Sequence, residues 1–303
     1  MEVRVTVTDS LPVRMIVTDL DGTLLDRNRK IPEGNACALR RAAANGLEVA
    51  FASGRLPGVC SRLALDIGLP ECRIMGMNGA LIWDRPFGEK LAETTFLPDA
   101  AEAVVRILDA EGCIYNAYTP DGVFTNLRVD AEGAERFRAG YAGSGVHVVI
   151  GDDAGMAALS EQVVKFLVKD TGGPEGFRRA QDRIRELPGI YLTSSGRDNF
   201  EVMRTGIGKA EAIRFLAGRL GIPLSAVMPF GDYDNDVEML TACGHAVAMG
   251  NGSPSAKAAA RYITLENTAD GVGYAVDALL DGKLEALRKG VVAQPLRSNG
   301  ESI

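Results

Sequence analysis

The feature that most constrains this chain is a pair of aspartate-rich loops, each set directly behind a short apolar run. Residues 13–18, VRMIVT, break off at Asp19-Leu20-Asp21-Gly22-Thr23, and residues 226–230, AVMPF, break off at Gly231-Asp232-Tyr233-Asp234-Asn235-Asp236. Apolar runs of this kind read as strands buried on both faces of a parallel sheet. Open α/β sheets place their sites at the carboxyl ends of such strands. Two carboxylates a few ångströms apart repel by ~3 kcal/mol at an effective dielectric of about 20, so gathering several is costly without a cation. An oxygen-only donor set with no His or Cys nearby favours Mg2+ over zinc. Read alone, the first loop also suits an Asx-turn after a strand. Three aspartates within positions 232–236, however, exceed what a helix N-cap needs.

The rest of the chain supplies the frame for these loops. A helix is expected from Asn35 to Gly46, with Leu39, Ala42 and Ala43 on one face, then a strand in LEVAFA, a helix after Pro57 and a strand in RIMGM. This alternation predicts βαβ units and a doubly wound α/β parallel sheet with helices on both faces. After Trp83 the rhythm changes. Helices are expected at 99–111 and 175–187 among strand-like CIYNAY, GVHVVI and VVKFLV, followed by two strands split at Ser195-Gly196-Arg197-Asp198. That order suits an inserted α+β cap domain. From about Gly206 the βαβ rhythm resumes, with a helix at 207–220. The expectation is a discontinuous core of residues 1–83 and 203–303, an insert at 84–202, and a loose tail from 285 to 303.

Charge and cysteine usage narrow the function classes. A net charge of -7 argues against a nucleic-acid partner, whose phosphates are met by clustered Lys and Arg. No apolar stretch approaches the ~20 residues that span a bilayer. Five cysteines without a CxxC pair offer neither a disulfide framework nor a zinc site, and a reducing cytoplasm is the expected location.

Two further positions point to an anion. Ser53-Gly54-Arg55 ends a strand just before a helix, where a hydroxyl and free N–H groups can cradle phosphate; a simple N-cap is the plainer meaning of such a serine. Lys209 stands in the first turn of the 207–220 helix, where a cation opposes the macrodipole unless an anion is nearby. Taken alone it reads as a solvated surface lysine.

Together DLDGTL at 19–24, the serine of ASGR at 53, the lysine of GIGKAEAI and GDYDND at 231–236 resemble the four ordered motifs of the haloacid dehalogenase superfamily of phosphohydrolases. The insert, MNGA at 77–80 and GDYDNDVEML are similar to its Cof-type subfamily with an α/β cap, a likeness spanning residues 13–282. The resemblance implies a Mg2+-dependent phosphatase of a small phosphorylated metabolite, with Asp19 as the nucleophile that becomes phosphorylated. It implies Asp21 as general acid and base, with its backbone carbonyl on the metal. Leu20, Ser53, Gly54, Lys209 and Asn235 would hold phosphate, and Asp19, Asp232 and Asp236 would complete the metal site. Asn78, Ser195, Arg197 and Asp198 are candidates for substrate selection, the last three also fitting an ordinary hairpin turn. Tyr115, Tyr118 and Lys165 read as packing or surface residues of the insert. A phosphomutase of the same superfamily and a non-catalytic phosphate-binding protein remain the alternatives.

Overall fold

A computed structural model describes residues 11–170, 173–194 and 198–288. The chain enters on β1 (Met15–Thr18), turns at 20–24 and continues through α1 (Glu33–Ala44), β2 (Glu48–Ala52), α2 (Pro57–Asp66) and β3 (Arg73–Gly76). Two short strands follow, β4 (Leu81–Trp83) and β5 (Lys90–Glu93). Next come α3 (Pro98–Ala110), β6 (Ile114–Tyr118), β7 (Gly122–Thr125), α4 (Ala131–Ala139), β8 (His147–Ile150), α5 (Ala154–Ala158), β9 (Lys165–Lys169), α6 (Pro174–Arg185), β10 (Ile190–Thr193) and β11 (Asn199–Arg204). The chain closes with α7 (Lys209–Arg219), β12 (Val227–Gly231), α8 (Val237–Ala242), β13 (Val247–Ala248), α9 (Pro254–Ala259), β14 (Tyr262–Ile263) and α10 (Gly271–Leu280).

The strands sort into an eight-stranded sheet, β14-β13-β12-β1-β2-β3-β4-β5, and a six-stranded sheet, β10-β11-β9-β6-β7-β8. β1 pairs in parallel with both β2 and β12. The chain therefore winds outward through β2 and β3 on one side and through β12, β13 and β14 on the other. The strand order switches direction beside β1, which is where a doubly wound sheet opens a crevice at its carboxyl edge.

β1 holds this central place because both of its faces are apolar. Ile16 packs in one cluster with Leu39 of α1 and Val276 of α10, whereas Met15 and Val17 pack in another with Ile213 and Leu216 of α7. Each such side chain contributes about 1.5–3 kcal/mol on burial, so a strand apolar on one face only would be forced to the edge. The smaller sheet is antiparallel apart from β7 and β8. One face of it buries Phe166 against Val104 and Leu108 of α3 and Ile184 of α6. Its other face sets Tyr118, Val123 and Val164 in one cluster with Leu56, Met77 and Leu81 from the larger sheet's side, and so seats the two sheets together.

Several boundaries differ from expectation. β5 belongs to the larger sheet, so the chain leaves that sheet after Glu93 and not at 84. Its sequence, KLAE, is half-exposed and polar, which gives an edge strand no apolar signal. The smaller sheet keeps β11 through Arg204. α4 has no buried residue and therefore no apolar stripe to announce it. The segment expected to be loose from 285 starts as a packed turn: Leu284 and Leu287 are buried and Tyr262 bridges Arg288. Residues 289–303 lie outside the described residues. Among those described, no helix is long and apolar enough to cross a membrane.

Candidate active site

Asp19 stands one residue past β1, where its N–H donates to the Phe230 carbonyl of β12 at 3.0 Å. That bond ties the first acidic loop to the second. Lys209, the first residue of α7, is 3% exposed and donates from Nζ to Asp19 Oδ1 and Asp236 Oδ1, each at 2.6 Å. A buried cation at a helix N-terminus is tolerable because two carboxylates face it. Asp236 is fully buried, and its Oδ2 accepts the N–H groups of Asp232 at 2.9 Å and Tyr233 at 3.2 Å. This one side chain folds the second loop back on itself. Asp234 turns the other way, is exposed, and accepts from Ser253 and Ser255.

Asp232 is braced from the first loop. Its Oδ1 accepts from Thr23 Oγ1 at 2.9 Å, and its Oδ2 lies 2.3 Å from where a Cβ on Gly22 would stand. Gly22 adopts φ +82°, so glycine is needed here for both its backbone conformation and its missing side chain. Asn251, which the sequence reading leaves without a role, donates from Nδ2 to the Gly22 carbonyl at 2.8 Å.

The electrostatics follow from this crowding. Burial drives the Asp19 carboxyl well above its ordinary value; Lys209 pulls it back, while Asp236 and Asp232 push it up again. Burial, then the Asp236 charge, pushes Asp232 up to about 6. Burial opposes the Lys209 ammonium, but Asp19 and Asp236 outweigh it and raise its pKa. One carboxylate oxygen each from Asp19, Asp232 and Asp236 lies within 4.8 Å of the others. Three carboxylate oxygens gathered this closely, with no His or Cys among them, suit a hard divalent cation.

Of the four residues expected at the metal, three bring carboxylates together. The Asp21 carboxylate lies outside that cluster and receives a forked pair of hydrogen bonds from Arg55, Nε to Oδ2 at 2.7 Å and Nη2 to Oδ1 at 2.5 Å. Its backbone carbonyl is what it has left to offer an ion. Both Asp19 and Asp21 face a cleft of about 800 Å³ between the sheets. Ser53, Gly54 and Asn235 line it too, and the Ser53 hydroxyl oxygen accepts from the Arg55 N–H at 3.2 Å. Leu20 buries its side chain in the core, so only its backbone can reach a phosphate.

The selection candidates fare differently. Asn78 is buried outside the main cleft and lines a smaller cavity of about 240 Å³ with Lys209 and Tyr191. Asp198 is exposed at the β10–β11 turn, where its carbonyl accepts from Asp170 N–H at 3.0 Å, and it does not line the cleft. Ser195 and Arg197 lie outside the described residues. Tyr115 packs as expected, its hydroxyl donating to Asp109 at 2.8 Å. Lys165 and Tyr118 instead line the cleft, with Glu201 and Arg136 beside them. The signal for Lys165 was a charge in the middle of VVKFLV, a run otherwise apolar.

Fold and site together define an α/β enzyme whose core sheet carries an acidic centre beneath a second, smaller sheet. The family model for haloacid dehalogenase-like hydrolases matches residues 16–276, and the chain belongs to that family, in its Cof-type phosphohydrolase branch. It is 29% identical over 288 residues to phosphatase YwpJ of Bacillus subtilis, covering 88% of this chain and 100% of the relative. It is 30% identical over 247 residues to the HMP-PP phosphatase of Klebsiella pneumoniae, covering 81% of this chain and 87% of the relative. Among solved structures, a haloacid dehalogenase-like hydrolase from B. subtilis superposes with a TM-score of 0.76 at 25% identity, covering 88% of this chain and 99% of the other.

Proposed function

We propose that this protein is a Mg2+-dependent phosphatase that hydrolyses the phosphomonoester of a small metabolite through a phosphoaspartate on Asp19. The observation that carries the reading is the Asp19 carboxylate itself. Its Oδ1 is engaged by Lys209 while the residue opens onto the 800 Å³ cleft, a volume suited to a metabolite. The names of the relatives support the same class of substrate.

Asp19, Asp232 and Asp236 would hold Mg2+, which would supply positive charge against carboxylate repulsion and against the charge of the phosphoryl group. Asp19 attacks phosphorus through the oxygen Lys209 leaves free, forming an O–P bond as the ester P–O bond breaks. The departing oxygen takes a proton from Asp21. Water then attacks the phosphoaspartate, yields its proton to Asp21, and releases inorganic phosphate with Asp19 restored. Ser53 and Lys209 hold the phosphoryl oxygens, where positioning and charge do most of the work of phosphoryl transfer.

The test is phosphate release from a panel of sugar phosphates, pyridoxal phosphate and flavin mononucleotide, with Mg2+ and with EDTA. Turnover that requires the metal, is lost in Asp19→Asn and needs no bisphosphate activator supports the reading and separates it from a mutase. Asp19→Asn working at the wild-type rate would overturn it.

A further inference from the structure

Lys165 belongs to β9 of the smaller sheet, yet its ammonium reaches the loop beside the nucleophile. Nζ donates to the Gly54 carbonyl at 2.7 Å, and the side chain is 4% exposed. Glu201, also 4% exposed on neighbouring β11, sets its Oε2 3.5 Å from Nζ and accepts from Asn78 Nδ2 at 2.5 Å. The Tyr118 ring centroid lies 5.3 Å from Nζ. A buried ion pair is poor adhesive, since desolvation offsets most of its attraction and an apolar pair would hold the sheets as well. Its presence at this seam calls for a role in the site.

The covalent geometry of one peptide group supplies that role. The Gly54 carbonyl and the Arg55 N–H share a trans peptide plane and point in opposite directions. Lys165 holds the carbonyl; the N–H on the far side donates to Ser53 Oγ at 3.2 Å. With a lone pair of Oγ so occupied, the Ser53 proton is left to be donated elsewhere. Gly54 is closely approached here: a Cβ would stand 3.1 Å from Asn78 Oδ1 and 3.4 Å from Lys165 Nζ, so a side chain would press on both.

We propose that Lys165 is a positioning residue: from the smaller sheet it fixes the Gly54–Arg55 peptide plane, and through it sets the Ser53 hydroxyl as a donor to the phosphoryl group. The inference rests on the phosphatase reading above. Seating the smaller sheet and completing the phosphate grip are then a single event. Glu201, itself held by Asn78, faces the ammonium.

Orthophosphate binding by calorimetry, together with kcat and KM for any phosphomonoester the wild type turns over, tests this in Lys165→Met, Lys165→Arg, Ser53→Ala and the Lys165→Met/Ser53→Ala double variant. Lys165→Met/Glu201→Gln accompanies them so that no lone carboxylate is buried. Lys165→Met is expected to weaken phosphate binding and lower kcat/KM about tenfold to a hundredfold. Lys165→Arg recovers part of that loss. In the Ser53→Ala background the same change adds less than about twofold, because both act through one hydroxyl. Full multiplication of the two effects would show that Lys165 touches the substrate directly, and would overturn the proposal, as would wild-type behaviour of both Lys165→Met variants. If no phosphomonoester is turned over, the phosphatase reading fails while the orthophosphate measurements still read the coupling.

Discussion

The Lys209 ammonium lies 2.6 Å from the Asp19 carboxylate, with both side chains buried at the point where two halves of one sheet diverge. Asp236 lies at the same distance on its other side, so that among the described residues this lysine is the cation that contacts both aspartates. Replacing it as Lys209→Met leaves two buried carboxylates facing each other. Loss of one partner of a buried pair costs about 3–5 kcal/mol, so the denaturant midpoint in EDTA should fall sharply. Added Mg2+ should recover part of the loss, whereas recovery by a monovalent salt alone would contradict the site's design.

Asp19→Asn behaves in the opposite sense. Burial and the neighbouring carboxylates already disfavour the charge on Asp19, so a neutral isostere relieves repulsion while still accepting from Lys209. Activity should drop at least about 10³-fold, with a thermal midpoint in EDTA equal to or above that of the wild type.

Asp232 contributes to the pH dependence beside Asp19, its carboxyl pushed up to about 6 from an ordinary 3.8. A carboxyl raised on folding weakens the fold once it must ionise. For the metal-free protein that penalty is fully present above about pH 6 and fades as pH falls toward 3.8. A cation removes the penalty, and protons compete with the cation below about pH 6. Mg2+ should therefore raise the melting temperature more at about pH 7.5 than at about pH 5. An equal rise at both would remove Asp232 from the metal site.

Gly22→Ala should damage the site without replacing any of its functional side chains. The added Cβ would stand 2.3 Å from Asp232 Oδ2, at a backbone φ of +82° that alanine resists. We expect about 1–3 kcal/mol of lost stability and on the order of 10²-fold lost activity, read by melting and by phosphate release.

Of the five cysteines only Cys37 is exposed. Burial pushes the Cys60 thiol up to about 12 and the Cys113 and Cys243 thiols up to about 11. A thiol reagent should modify one cysteine in the native protein and all five after denaturation.

Asp19, Ser53, Lys209 and Asp232 are legible in the chain because each sits where a strand or helix begins or ends. An apolar run broken by a polar loop reports that junction locally, without knowledge of what lies across it. Even Asp236, buried beneath the loop, belongs to a cluster too acidic to be a cap. The roles inside each loop are less legible. That Asp234 turns outward to Ser253 and Ser255 while Asp236 turns inward is a matter of backbone direction over five residues, and composition carries no record of it.

The cleft's far wall was beyond such reading. Lys165 meets Gly54, and Glu201 meets Asn78, across more than a hundred residues of chain, on strands whose faces are assigned only when two separate sheets come together. Local sequence marks strand ends because a buried strand demands apolar residues on both sides wherever it lies. It holds no comparable mark for a charge whose burial depends on a partner supplied by distant chain, and so the acidic centre was written in the motifs while the lysine that reaches the Ser53–Gly54 loop came from packing.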